Sequence, residues 1–60
     1  MNEQLMLGRC HALLIAMIGK DAAPRWWSGQ NKAFDMQTPE EVWKTEPEKV
    51  YNYLMEYASK

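Results

Sequence analysis

The residues of this 60-residue chain that could do chemistry are few: one cysteine, one histidine, and a set of carboxylates gathered in its second half. Cys10 and His11 are adjacent, and a thiol beside an imidazole is the raw material of a nucleophile and its base. Neighbours on a helix point about 100° apart, however, which is a poor placement for proton transfer between them. Cys10 therefore reads as a small buried hydrophobe and His11 as its surface neighbour. A metal centre is not expected, because structural zinc takes four Cys or His ligands and the chain has only these two residues of either type. Glu40, Glu41, Glu46 and Glu48 look like an acidic site. Each, however, falls in the first turn of an expected helix, where the macrodipole and free N–H groups favour negative charge. With no glycine-rich phosphate loop either, the sequence predicts no enzyme, no catalytic residue and no cofactor.

Aromatic residues are the exception to this poverty. The chain has three Trp, three Tyr and one Phe, and the stretch RWWSGQNKAFDMQTPEE, residues 25–41, holds two adjacent tryptophans and the phenylalanine. Tyr and Trp combine a rigid apolar body with one polar handle and are enriched at binding hot spots. A protein partner is thus expected. Nucleic acid is not: net charge is −1, and Arg9, Lys20, Arg25, Lys32, Lys44, Lys49 and Lys60 are scattered rather than clustered for phosphate contacts. The longest apolar run, ALLIAMI at 12–18, is far short of the roughly 20 residues that span a bilayer, and no signal peptide frames it. One cysteine excludes an internal disulfide and fits a reducing compartment, so a cytoplasmic location is expected.

Those residues must be positioned by helices. Met6, Cys10, Leu13, Leu14 and Met17 follow the spacing of one helical face over residues 3–18, with Gly19 as the stop. A second apolar set, Leu7, Leu14, Ile15 and Ile18, widens that face beyond the need of a surface helix and is the expected homo-oligomer interface. A domain this short removes only about 60% of its unfolded surface from water, so a partner is a natural source of stability. Asp21 is the expected cap of a short second helix through Ala22, Ala23 and Pro24 that stops near Gly29. On it Trp26 and Trp27 diverge by about 100°, so that Trp26 enters the core and Trp27 faces a partner. One helical turn is expected around Lys32 to Asp35. Thr38, Pro39 and Glu41 then form a capping box with Pro at the first helical position. The pattern recurs at Thr45, Pro47 and Glu48, starting a last helix from about Glu46 to Ala58 with Val50, Tyr53, Leu54 and Tyr57 on one face and Tyr51 off it, exposed. No segment alternates with the period of a strand. The fold class is all-α: a single small compact domain over 1–60, of about four helices, comprising a long N-terminal helix, two short helices and a C-terminal helix. Trp26, Phe34, Trp43, Val50 and Leu54 are its expected core.

The central stretch resembles the toxin-binding domain of the Xre/MbcA/ParS-type antitoxins. Their pattern is an Ala, a Trp-Leu pair, Pro-Asn, Ala-Leu, a Gly-rich turn, and Thr-Pro leading into a Leu-Glu-Leu-Leu helix. Here Ala23 and Trp26 match the Ala and Trp, Trp27 takes the Leu position, and Asn31, Ala33 and Phe34 match the Asn and the Ala-Leu pair. Thr38, Pro39 and Glu41 match Thr-Pro and the Glu, and Val42 and Trp43 take the closing apolar positions, all without a gap. Leu13 to Gly19 and Val50 to Tyr57 correspond to the flanking helices. Departures are Gln30 for Pro, Asp35 and Met36 for the turn glycines, which suggests a differently shaped turn, and Glu40 for Leu. Family members generally carry an N-terminal helix-turn-helix domain, for which these residues leave no room, so the resemblance implies protein binding rather than repression. It implies inhibition of a RES-type, NAD-consuming toxin by occlusion of its active site. The contact would then be made by the C-terminal region, including Tyr53, Tyr57 and the Ala58-Ser59-Lys60 end. Trp27, Tyr51, Tyr53, Tyr57 and Lys60 form the expected partner surface. Two other readings stand beside it. One is a phage anti-defence protein that binds a host immune complex, told apart by what co-purifies. The other is a dimeric DNA-binding protein with Arg9, Lys20, Arg25 and Lys32 on one side, told apart by a steep salt dependence.

Overall fold

Residues 2–59 are described by a computed structural model, and they form helices at nearly every expected place. Helix α1 spans Glu3–Ile18. It begins on Asn2, whose side-chain oxygen accepts from the Leu5 N–H at 2.8 Å, a cap the sequence reading did not anticipate. It ends at Gly19, whose φ of 91° lies in the region that favours glycine and whose N–H donates to the Ile15 carbonyl.

Helix α2, Ala22–Ser28, follows after this turn. Asp21 precedes it but does not cap it: its backbone is already helical and its carboxylate accepts no capping bond. The Gly19 turn does the work instead, because it aims the Gly19 carbonyl at the Ala23 N–H, 3.1 Å away. A 3-10 turn at Lys32–Phe34 comes next. Asn31 organises it, its side chain accepting from the Ala33 N–H at 2.9 Å while its carbonyl accepts from both Phe34 and Met36.

Helix α3, Pro39–Thr45, starts on the expected capping box. The Glu41 N–H donates to the Thr38 hydroxyl oxygen at 3.2 Å, and Thr38 returns its own N–H and its hydroxyl to the Glu41 carboxylate at 3.1 and 2.9 Å. Those bonds, the backbone N–H first, hold the Glu41 carboxyl below its usual range, so it is charged at neutral pH. Helix α4, Pro47–Ala58, departs from expectation at its start. Thr45 is the last residue of α3, with its hydroxyl toward the Val42 carbonyl, and Glu46 occupies the cap position. Pro47 causes this shift: lacking an N–H, it fits the first helical position, where no partner is needed.

Each helix packs on the next and α4 returns to α1, closing a ring with extents of 25 × 24 × 21 Å. Cys10 and Leu14 of α1, Ala23 of α2, Phe34, Val42 of α3, and Val50 and Leu54 of α4 fill its centre. Among the described residues there is no strand, no buried polar side chain, and no helix long and apolar enough to cross a membrane.

The turn after Phe34 carries the fold's one visible backbone cost. Asp35 and Met36, at φ 55° and 68°, both lie in the left-handed region. Asp tolerates it, but an L-residue such as Met is disfavoured there by about 1–2 kcal/mol. Both positions therefore hold backbone that glycine would adopt at less cost. Met36 is also 48% exposed, so little packing opposes its removal. We predict that Met36→Gly stabilises the protein by about 1 kcal/mol in urea denaturation, after glycine's own entropy cost. An unchanged or lower midpoint would contradict that.

Candidate functional site

The central feature is a continuous chain of six aromatic rings. Trp43 of α3 meets Trp27 edge to face at 5.7 Å between centroids, and Trp27 meets Trp26 at 5.3 Å. Trp26 meets Phe34 edge to face and stacks on Tyr53, both at 6.5 Å. Tyr53 contacts Phe34 at 5.2 Å and Tyr57 at 6.2 Å. Edge-to-face and offset pairs at these separations each add about 0.5–1.5 kcal/mol beyond area burial. Consecutive placement of Trp26 and Trp27 on α2 makes the chain possible, since the two rings leave the helix about 100° apart and reach opposite neighbours.

Two surface grooves flank that pair. Trp27 and Trp43 wall the larger, of about 660 Å³, against Leu7, Gly8 and His11 of α1, with Glu40 and Lys44 at its α3 side. Trp26, Tyr53 and Tyr57 line the smaller, of about 390 Å³, with Leu14, Met17 and Ile18 of α1. Neither brings a nucleophile to a base. Cys10 is wholly enclosed in the core beneath α1, and burial pushes its thiol up to about 11, so it stays protonated at neutral pH. His11 is exposed at the rim of the larger groove. Among the described residues no three His, Cys, Asp or Glu gather as a metal would require, and the one ion pair, Lys49 to Glu46 at 3.9 Å, is on the surface. What the grooves offer is apolar and aromatic contact.

Several expected placements need correction. Leu14, expected at an oligomer interface, is 1% exposed and belongs to the core of the single chain, because it lies on the side of α1 that meets Ala23 and Leu54. Leu7, Ile15 and Ile18 are exposed as the interface reading needs. Trp26 and Trp43 are half-buried rings packed against the core rather than inside it, while Phe34, Val50 and Leu54 are enclosed. A centre this small has room for one whole aromatic ring. Trp27 is half-buried as well, so the two tryptophans differ in direction more than in depth. Tyr51 is half-buried and packed against the core, not exposed. Tyr53 is half-buried and Tyr57 is 56% exposed. Lys60 lies outside the described residues.

By architecture the protein is, over the described residues, a small all-α domain of four α-helices and one 3-10 turn. Comparison with protein families, with curated proteins and with solved structures finds no match.

The ring chain makes unequal demands on its members. Phe34→Ala, which empties the one fully enclosed ring position, is predicted to cost about 3–5 kcal/mol. Trp27→Ala, half-buried at a groove wall, should cost clearly less. Chemical denaturation of both variants checks this, and equal losses would contradict the assigned hierarchy.

Proposed function

We propose that the chain is a non-enzymatic module that binds and neutralises a partner enzyme, with the Tyr53 and Tyr57 end of α4 as the contact. The observation that carries this reading is Tyr57, a large ring more than half exposed yet held at 6.2 Å from Tyr53, which is itself wedged against Trp26 and Phe34. An exposed aromatic fixed in place loses little freedom on binding, which is how hot-spot residues gain affinity. The adjoining 390 Å³ groove supplies an apolar seat for a side chain of the partner.

The antitoxin resemblance supports the same reading and gives the partner's class. Its matched residues act together in this fold: Ala23 and Phe34 in the core, Asn31 as organiser of the 3-10 turn, Thr38 and Glu41 as the capping box. The two turn positions at which the family has glycine take left-handed backbone here without being glycine. On this reading the partner is a RES-type, NAD-consuming enzyme, and Tyr57 plugs its cleft so that substrate cannot enter.

The test uses the tagged protein to isolate its enzyme from the source cell, followed by an assay of NAD consumption. The native chain should bind stoichiometrically and inhibit. Tyr57→Ala should weaken inhibition by about thirtyfold, the scale of a hot-spot truncation, at an unchanged melting temperature. Recovery of no NAD-consuming enzyme, or equal inhibition by both proteins, would contradict the proposal.

A further inference from the structure

The larger groove has features that the proposed contact on α4 does not use. Trp27 and Trp43 stand at 84° to one another in its wall, each half-buried, so part of both rings is open to the groove. A flat ring placed in that corner lies against one indole and turns its edge to the other, the two arrangements that aromatic pairs favour. Leu7 supplies apolar surface on the α1 side. Beside it Gly8 adds no side chain, although glycine in mid-helix is less favourable than alanine and a Cβ built there meets no atom within 4 Å. The glycine keeps the α1 edge of the groove open.

We propose that this groove binds a small zwitterion with a flat apolar body, the chemistry of a free aromatic α-amino acid. Charge decides the occupant. Glu40 and Lys44 both line the groove from α3, four residues apart and exposed. A glutamate four residues before a lysine is the spacing that pairs on a helix, yet the one ion pair among the described residues is Lys49 with Glu46. An unpaired carboxylate and an unpaired ammonium thus border the same apolar surface. A ligand that brings an ammonium to Glu40 and a carboxylate to Lys44 satisfies both and leaves no charge over. A ligand of single charge would meet one attraction and one repulsion. Size agrees, since about 660 Å³ lies within the range of about 300–1,000 Å³ for small-molecule clefts. The groove follows α1 from Gln4 to His11, roughly two turns or about 10 Å, which suits one ring with its polar end.

This inference is independent of the enzyme proposed for α4. Its test is an NMR titration of the full chain, read at the backbone amides and the indole N–H groups, with L-phenylalanine. Two analogues run beside it: 2-phenylethylamine, which lacks the carboxylate, and 3-phenylpropionate, which lacks the ammonium. L-Phenylalanine should shift the Trp27 and Trp43 indole signals saturably, with a Kd of about 1 mM or tighter, the scale for a ligand this small. Each analogue should bind about threefold or more weakly, as the loss of one surface ion pair allows. Glu40→Gln should abolish the preference over 3-phenylpropionate, and Lys44→Gln the preference over 2-phenylethylamine; both replace exposed side chains. Gly8→Leu puts a side chain at the groove edge and should weaken binding about fivefold or more, while it raises the melting temperature because a helix-weakening glycine is lost. No saturable shift up to about 10 mM, equal Kd values for the three ligands, shifts centred on Tyr53 and Tyr57, or binding unchanged by Gly8→Leu would overturn it.

Discussion

Phe34 is the ring around which the helices close. It is 1% exposed, meets Trp26 and Tyr53 edge to face, and so ties the 3-10 turn to α2 and α4 in one contact set. Its position depends on the turn behind it, where the Asn31 carbonyl accepts from two N–H groups and Asp35 and Met36 take left-handed backbone. Burying one whole aromatic side chain is worth about 1.5–3 kcal/mol by transfer alone, which offsets the strain of that turn. The other rings are arranged by this choice. With the centre occupied, both tryptophans of α2 are held at its edge, and they open a groove on each side.

Much of this was legible in the sequence because the signals were local. The capping box at Thr38, Pro39 and Glu41 requires only short-range spacing, and Gly19 marks the end of α1 because it stands where the apolar spacing of that helix stops. Val50 and Leu54 follow from helical periodicity. Failures arose where a neighbour decided the outcome. Leu14 belongs equally to two faces of α1 in one dimension, and only the positions of Ala23 and Leu54 place it inside. Thr45 repeats the form of a cap, but Pro47 fixes where α4 can begin and leaves Thr45 in α3. Asp21 has the right type for a cap and is bypassed because the Gly19 turn already presents a carbonyl to α2. The ring chain and the two grooves were not legible at all, since they depend on how four helices meet.

The arrangement leaves a chain with little interior and a great deal of apolar edge. Among the described residues eight hydrophobic ones are buried, whereas five large ones on α1 alone are open to water. For a domain that can hide only about 60% of its unfolded surface, such a balance gives marginal stability. The proposed contact takes up part of that edge, the Tyr57 end of α4 with the groove beside it, and it needs no catalytic group.

The central claim is that the Tyr57 end of α4 is a preformed contact for a partner enzyme. Amide hydrogen exchange of the chain, alone and with the enzyme it isolates, reads this directly, because a helix end covered by a partner opens less often. The account predicts slowing concentrated in the last turns of α4, around Tyr53 and Tyr57. Slowing elsewhere, with the end of α4 unchanged, would contradict it.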